Sequence, residues 1–189
     1  MQILNVTQIF KEDPMKSYIK VFVFLFLGLC LAIFIYPFLH ELGHVIASVL
    51  LGLQCREFHL LPMPYVLCDM SQAREIDYYI VGSAGILFPI IISQLLRPFY
   101  NKNIFIDFTV FIIEGISALA CAISLISIFL LQFGYELKED DITSVLIKTN
   151  SSLLFTGIIS ALLSIGLVII VFAMFRQKTI HSLIASLEI

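Results

Sequence analysis

The sequence predicts an all-α polytopic membrane protein of about four transmembrane helices, with a short β-like hairpin loop after the first. Hydrophobic residues make up 60% of the 189 and charged residues 13%, with a mean hydropathy of +1.02. Those values exclude an ordinary water-soluble enzyme. A bilayer core of about 30 Å needs roughly 20 apolar residues per helix, so this length holds only a few crossings. The apolar runs follow one another without an internal repeat or a Gly/Ser linker, which points to one domain. A net charge of -3 with no run of lysines or arginines offers no electrostatic footprint for nucleic acid, so the partner to reason about is the lipid bilayer.

Taken in order, residues 1–20 form a polar N-terminal segment, 21–175 a membrane-embedded domain and 176–189 a short tail. From Val21 to Leu39 there are 19 uncharged residues. That is longer than a signal-peptide core and lacks a small-residue cleavage site, so the stretch is expected to remain as the first span, kinked by Pro37. Apolar character resumes after His44 and runs to Leu53. A helix from 21 to 53 would be about 50 Å long, so it must bend or emerge from the lipid. Residues 54–79 carry short runs of Phe, Leu, Tyr and Val broken by Pro62 and Pro64, the pattern of an irregular hairpin.

The second span is expected from about Ile80 to Leu96, ending at Arg97-Pro98. The third lies within Ile104–Gly134, with Asp107 and Glu114 in its first half and a membrane core at Gly115–Phe133. A polar stretch from Tyr135 to Asn150 holds a helix start at Asp140-Asp141. The fourth span runs from about Leu153 to Phe175, where Gly157, Ser160, Ala161 and Ser164 suit close packing on a neighbour. Lysines and arginines divide seven (Lys11, Lys16, Lys20, Arg97, Lys102, Arg176, Lys178) against four (Arg56, Arg74, Lys138, Lys148), which favours both termini inside. The four cysteines, Cys30, Cys55, Cys68 and Cys121, do not suggest a disulfide scaffold, and His59 with Cys55 and Cys68 fits no strong zinc spacing.

The chemistry lies in His40-Glu41-Leu42-Gly43-His44, an H-E-x-x-H. With four His and eight Glu in the chain, chance would produce it only about 0.004 times. On a helix His40 and His44 stand one turn apart on one face, so both imidazoles can reach one metal. Glu41 lies about 100° round and can act as general base toward a water held there. Zinc in such a site lowers the water's pKa and polarises a scissile carbonyl. A third ligand is needed. Counting crossings puts Asp140 and Asp141 on the same side of the membrane as the histidines, provided that Ile104–Gly134 crosses once. If it crosses twice, Glu114 becomes the rival, although a polar helix contact explains Glu114 more simply. Asp140 and Asp141 have a plain helix-capping explanation as well.

A membrane-embedded HELGH followed by a β-like loop, another span and a later aspartate resembles the site-2 protease family of intramembrane zinc metalloproteases, over about residues 25–150. The resemblance implies zinc ligation by His40, His44 and an aspartate near 141, with Glu41 as catalytic base. Asp141, with Val145 and Leu146 at +4 and +5, fits the family's aspartate offset better than Asp140 does, although Ile142 replaces the glycine that usually follows. Ala84-Gly85 match the start of the family's Ala-Gly-Pro-x-x-Asn segment, whereas Ile86 and Pro89 replace its Pro and Asn. The expected function is therefore zinc-dependent endoproteolysis of a membrane-associated protein or peptide. The rival is a non-catalytic protein of similar fold that binds metal or a membrane partner.

Overall fold

The computed structural model describes residues 14–59, 64–99, 104–135 and 141–176. Four helices are long and apolar enough to cross a membrane: Phe22–Leu50, Glu75–Phe99, Phe105–Leu131 and Phe155–Phe172. The first is a continuous helical rod in three parts, α1 (Pro14–Cys30), a π-helical turn (Leu31–Ile35) and α2 (Tyr36–Leu50). It starts before the expected Val21 and runs on past Leu39. Pro37 has no N–H to donate and its ring crowds the carbonyl of Ile33. The helix absorbs this by widening, so that the Tyr36 N–H bonds back to the Leu31 carbonyl. Near the expected kink at Pro37 the helix thus carries a π turn, ending at Ile35.

α2 ends where Gly52 adopts φ +76° and the Leu53 N–H bonds to the Ser48 carbonyl at 2.9 Å, a helix stop that only glycine takes without strain. The hairpin follows as β1 (Gln54–His59) and β2 (Tyr65–Asp69), antiparallel, with Cys55 opposite Cys68. These two cysteines form a disulfide, a single bridge where the sequence does not suggest a disulfide scaffold. They are 13 residues apart in sequence, and only the strand register brings them together.

α3 (Glu75–Leu96) begins five residues before the expected Ile80. Its start is fixed by Asp77, whose carboxylate accepts the Arg74 backbone N–H at 2.8 Å and the Arg74 guanidinium at 2.9 and 3.1 Å. This cap of the Arg74 N–H and guanidinium by one carboxylate outweighs the polarity of the segment. α4 (Ile104–Leu131) is one helix, so this stretch crosses once. α5 (Asp141–Lys148) and α6 (Leu153–Arg176) complete the described residues.

The packing is that of a protein dissolved in lipid. Large apolar side chains such as Phe22, Leu25, Val168 and Phe172 face outward, while Ser93, Ser117, Ser127 and Thr143 are wholly buried. α4 runs through the middle, and Ile86, Cys121, Ile128, Ile142 and Leu146 form an apolar cluster between α3, α4 and α5. Without a hydrophobic drive between helices in lipid, close packing and satisfied polar groups hold such a bundle together. Glu114, 1% exposed, accepts hydrogen bonds from Gln94 at 3.1 Å and Arg97 at 2.9 Å, and so serves as a helix contact between α3 and α4. α6 packs chiefly on α4, through Ile159, Leu163 and Leu167. Gly157, Ala161 and Ser164 face outward, and a Cβ at Gly157 would meet nothing within 4 Å. The expected small-residue seam is therefore not the one used; long aliphatic side chains make the contact.

Candidate metal centre

The HELGH segment lies in the middle of α2, with His44 and Gly43 on the face turned to α3. α2 can approach α3 closely because residue 43 has no side chain: a Cβ there would strike the Ala84 carbonyl oxygen and Phe88. Opposite, Gly85 leaves room for the two imidazoles, since a Cβ at 85 would lie 2.5 Å from His44 Nε2, 2.6 Å from His40 Cε1 and 2.8 Å from His40 Nε2. One helical turn earlier on α3, Gly82 receives Val145 of α5, whose Cγ2 would lie 2.5 Å from a Cβ at that position. Two glycines of α3 thus seat the histidines and the helix that carries Asp141. The signal in the sequence is the spacing of the two glycines, about one turn apart on an apolar helix.

These notches bring three donor atoms together from positions 97 and 101 residues apart. Asp141 Oδ2 lies 2.8 Å from His40 Nε2 and 3.2 Å from His44 Nε2, and the two Nε2 atoms are 3.2 Å apart. All three ligand atoms fall within 4.8 Å of one another, so His40, His44 and Asp141 form a group that could hold a metal ion. The edges of a tetrahedron with ligands about 2.0 to 2.1 Å from zinc are about 3.3 Å, close to the observed separations. The other ring nitrogen of His44 donates to the Val81 carbonyl at 2.7 Å. A carbonyl only accepts, so Nδ1 carries the proton in the neutral ring and Nε2 presents a lone pair inward, the outer support that ligating histidines usually have.

Asp141 opens α5, and its carboxyl is held below the ordinary carboxylate range. Burial opposes ionisation, but the two imidazoles facing the carboxylate outweigh it. Asp140 lies outside the described residues. Glu114 is not part of the group: it sits near the far end of α3, paired with Arg97. Glu41 shares a cavity of about 320 Å³ with His44, Asp141, Tyr65, Val66 and Lys148. The Val66 backbone of β2 lies beside the Glu41 carboxylate, so the hairpin folds over the glutamate. Ile86 and Pro89, buried in α3, offer no side-chain donor near the histidines. The chain matches no protein-family model, and no curated protein or solved structure is significantly similar to it.

Proposed function

We propose that this chain is an intramembrane zinc metalloendopeptidase that cuts a membrane-associated polypeptide at the edge of the bilayer. The observation that carries the reading is the convergence of His40, His44 and Asp141, with Glu41 sharing a cavity with His44 and Asp141. An intramembrane cluster of ionisable groups is too costly to persist without a role, and this one has the donor set and spacing of a zinc site with a general base beside it. Zinc, when bound, supplies a Lewis acid that polarises a peptide carbonyl and makes a water easier to deprotonate. Glu41 takes the proton at its carboxylate and passes it to the leaving amine, with the Val66 backbone of β2 beside that carboxylate. His44 keeps its orientation through Val81.

A peptide bond within a helix is shielded, so the substrate must be unwound locally. β2 borders the cavity with Tyr65, Val66, Leu67 and Cys68, which supports strand addition as the way an extended segment is held. The Cys55–Cys68 disulfide supports an oxidising compartment on this face, in agreement with the lysine and arginine tally that sets both termini inside.

Glu41→Gln is the direct test in detergent-solubilised protein. It is expected to keep stoichiometric zinc and to lose cleavage by about 10²- to 10⁴-fold, the usual contribution of a general acid/base. Full biological activity in that variant with cleavage lost favours the non-catalytic reading, which also draws on Pro89, a residue unable to donate a hydrogen bond to a developing oxyanion. Val66→Pro, with zinc retained, is expected to lower kcat/KM by about ten-fold through loss of strand pairing. Cleavage unchanged in that variant counts against strand addition.

A further inference from the structure

We propose that Lys148 forms an anion-recognising subsite in the same cavity, selecting polypeptides that carry a carboxylate about three residues from the cut bond. This rests on the metalloendopeptidase reading above. Asp141, Ser144, Val145 and Lys148 all line the cavity that holds Glu41 and His44. Their spacing of i, i+3, i+4 and i+7 puts them on one stripe of α5. The stripe therefore runs from the metal group at one end to a cation at the other, and its neighbour Ile147 is exposed at 41%.

A lysine in the last turn of a helix complements the helix dipole wherever its side chain points. What sets Lys148 apart is that it borders the cavity and has no ion-pair partner among the described residues. The carboxylates that share the cavity are otherwise engaged. Asp141 is turned to the two histidines, and Glu41 faces the same imidazoles with the Val66 backbone beside it. A positive charge in a cavity with low-dielectric walls attracts an anion more strongly than one on open surface.

Helix geometry gives the register. Seven residues of α-helix rise about 10 Å, and an extended peptide advances about 3.3 to 3.6 Å per residue. A chain with its scissile carbonyl at the histidines and lying along α5 reaches Lys148 with its third residue. The anion is either the carboxylate of the substrate's own terminus or that of an Asp or Glu side chain.

The test uses peptides of one apolar sequence with Glu, Gln or Lys three residues from the cut bond, and a fourth with a free terminal carboxylate there against its amide. Cleavage is measured with the zinc-loaded chain in bilayer discs, and binding by fluorescence anisotropy on the Glu41→Gln form. Glu, or the free terminus, is expected to exceed its neutral counterpart by about five-fold. Lys148→Glu should reverse the order in favour of Lys, and the preferred arm tells side chain from terminus. Cleavage that ignores charge at this position in both wild type and Lys148→Glu overturns the subsite and leaves the hydrolase reading standing. Charge-selective binding without cleavage keeps the subsite and removes the hydrolase. Preference that appears only when anionic lipid is left out of the discs assigns Lys148 to a lipid phosphate in the bilayer and overturns the proposal.

Discussion

Asp141→Ala is expected to empty the metal centre while Glu114→Ala leaves it filled. Asp141 supplies the one oxygen of the group, 2.8 and 3.2 Å from the two Nε2 atoms. Without it, two imidazoles remain, and zinc held by two protein ligands is weakly bound. Loss of a mere outer contact costs up to about 100-fold in metal affinity, so loss of this ligand should cost more. Glu114 lies at the other end of the bundle, where it joins Gln94 and Arg97. Arg97 follows Gly85 by 12 positions, about 18 Å along α3. Removing Glu114 should leave zinc in place and loosen the α3 to α4 junction by on the order of 1 kcal/mol, allowing for the exposure of Arg97. Metal analysis of the purified protein with each variant, and with Asp140→Ala as a third, checks this. Stoichiometric zinc in Asp141→Ala, or its loss in Glu114→Ala, removes Asp141 from the centre.

The parts of the fold that were legible in the sequence are those set by solvent. Runs of uncharged residues long enough to cross a bilayer predict the four helices because lipid punishes any unsatisfied backbone. The HELGH spacing predicts the shared face of His40 and His44 because one turn of helix fixes it. Parity of crossings places Asp141 on their side, and the single helix Ile104–Leu131 meets that condition.

What the sequence hid depends on contacts between distant segments. Cys55 and Cys68 pair because of a strand register that the intervening prolines obscure. Arg74 and Asp77 read as loop residues until the carboxylate turns back onto the backbone N–H and extends α3 to Glu75. Gly157, Ala161 and Ser164 carry a small-residue pattern as clear as that of Gly82 and Gly85, yet only the latter pair is used. The difference lies in what stands opposite: Val145 and two imidazoles on one side, and no protein contact within reach of Gly157 on the other. Spacing states where a helix can be approached closely, and the partner decides whether it is.

That contrast leads to the second large effect, Gly85→Ala, which should abolish metal binding although no ligand is touched. The added Cβ would lie 2.5 to 2.8 Å from His44 Nε2 and His40 Nε2, closer than any carbon settles against a ring nitrogen. Neither ring can simply step aside. His44 is tied to the Val81 carbonyl at 2.7 Å, and rotating it breaks that bond and turns the lone pair away from Asp141. Nor can α3 withdraw cheaply, because Gly43 already sits against the backbone of Ala84 and Val145 is seated on Gly82. The strain, of the order of 1 to 3 kcal/mol for an overpacked interior, falls on the atoms that must bind the ion. Zinc affinity should therefore drop by at least about 100-fold, the scale of a displaced ligand shell, with the helical content of the protein unchanged by circular dichroism. Gly157→Ala is the matched control, with open space at its Cβ, and should bind zinc as the wild type does. Undiminished zinc in Gly85→Ala means that the imidazoles do not need the space this glycine leaves, and the centre is not built as described.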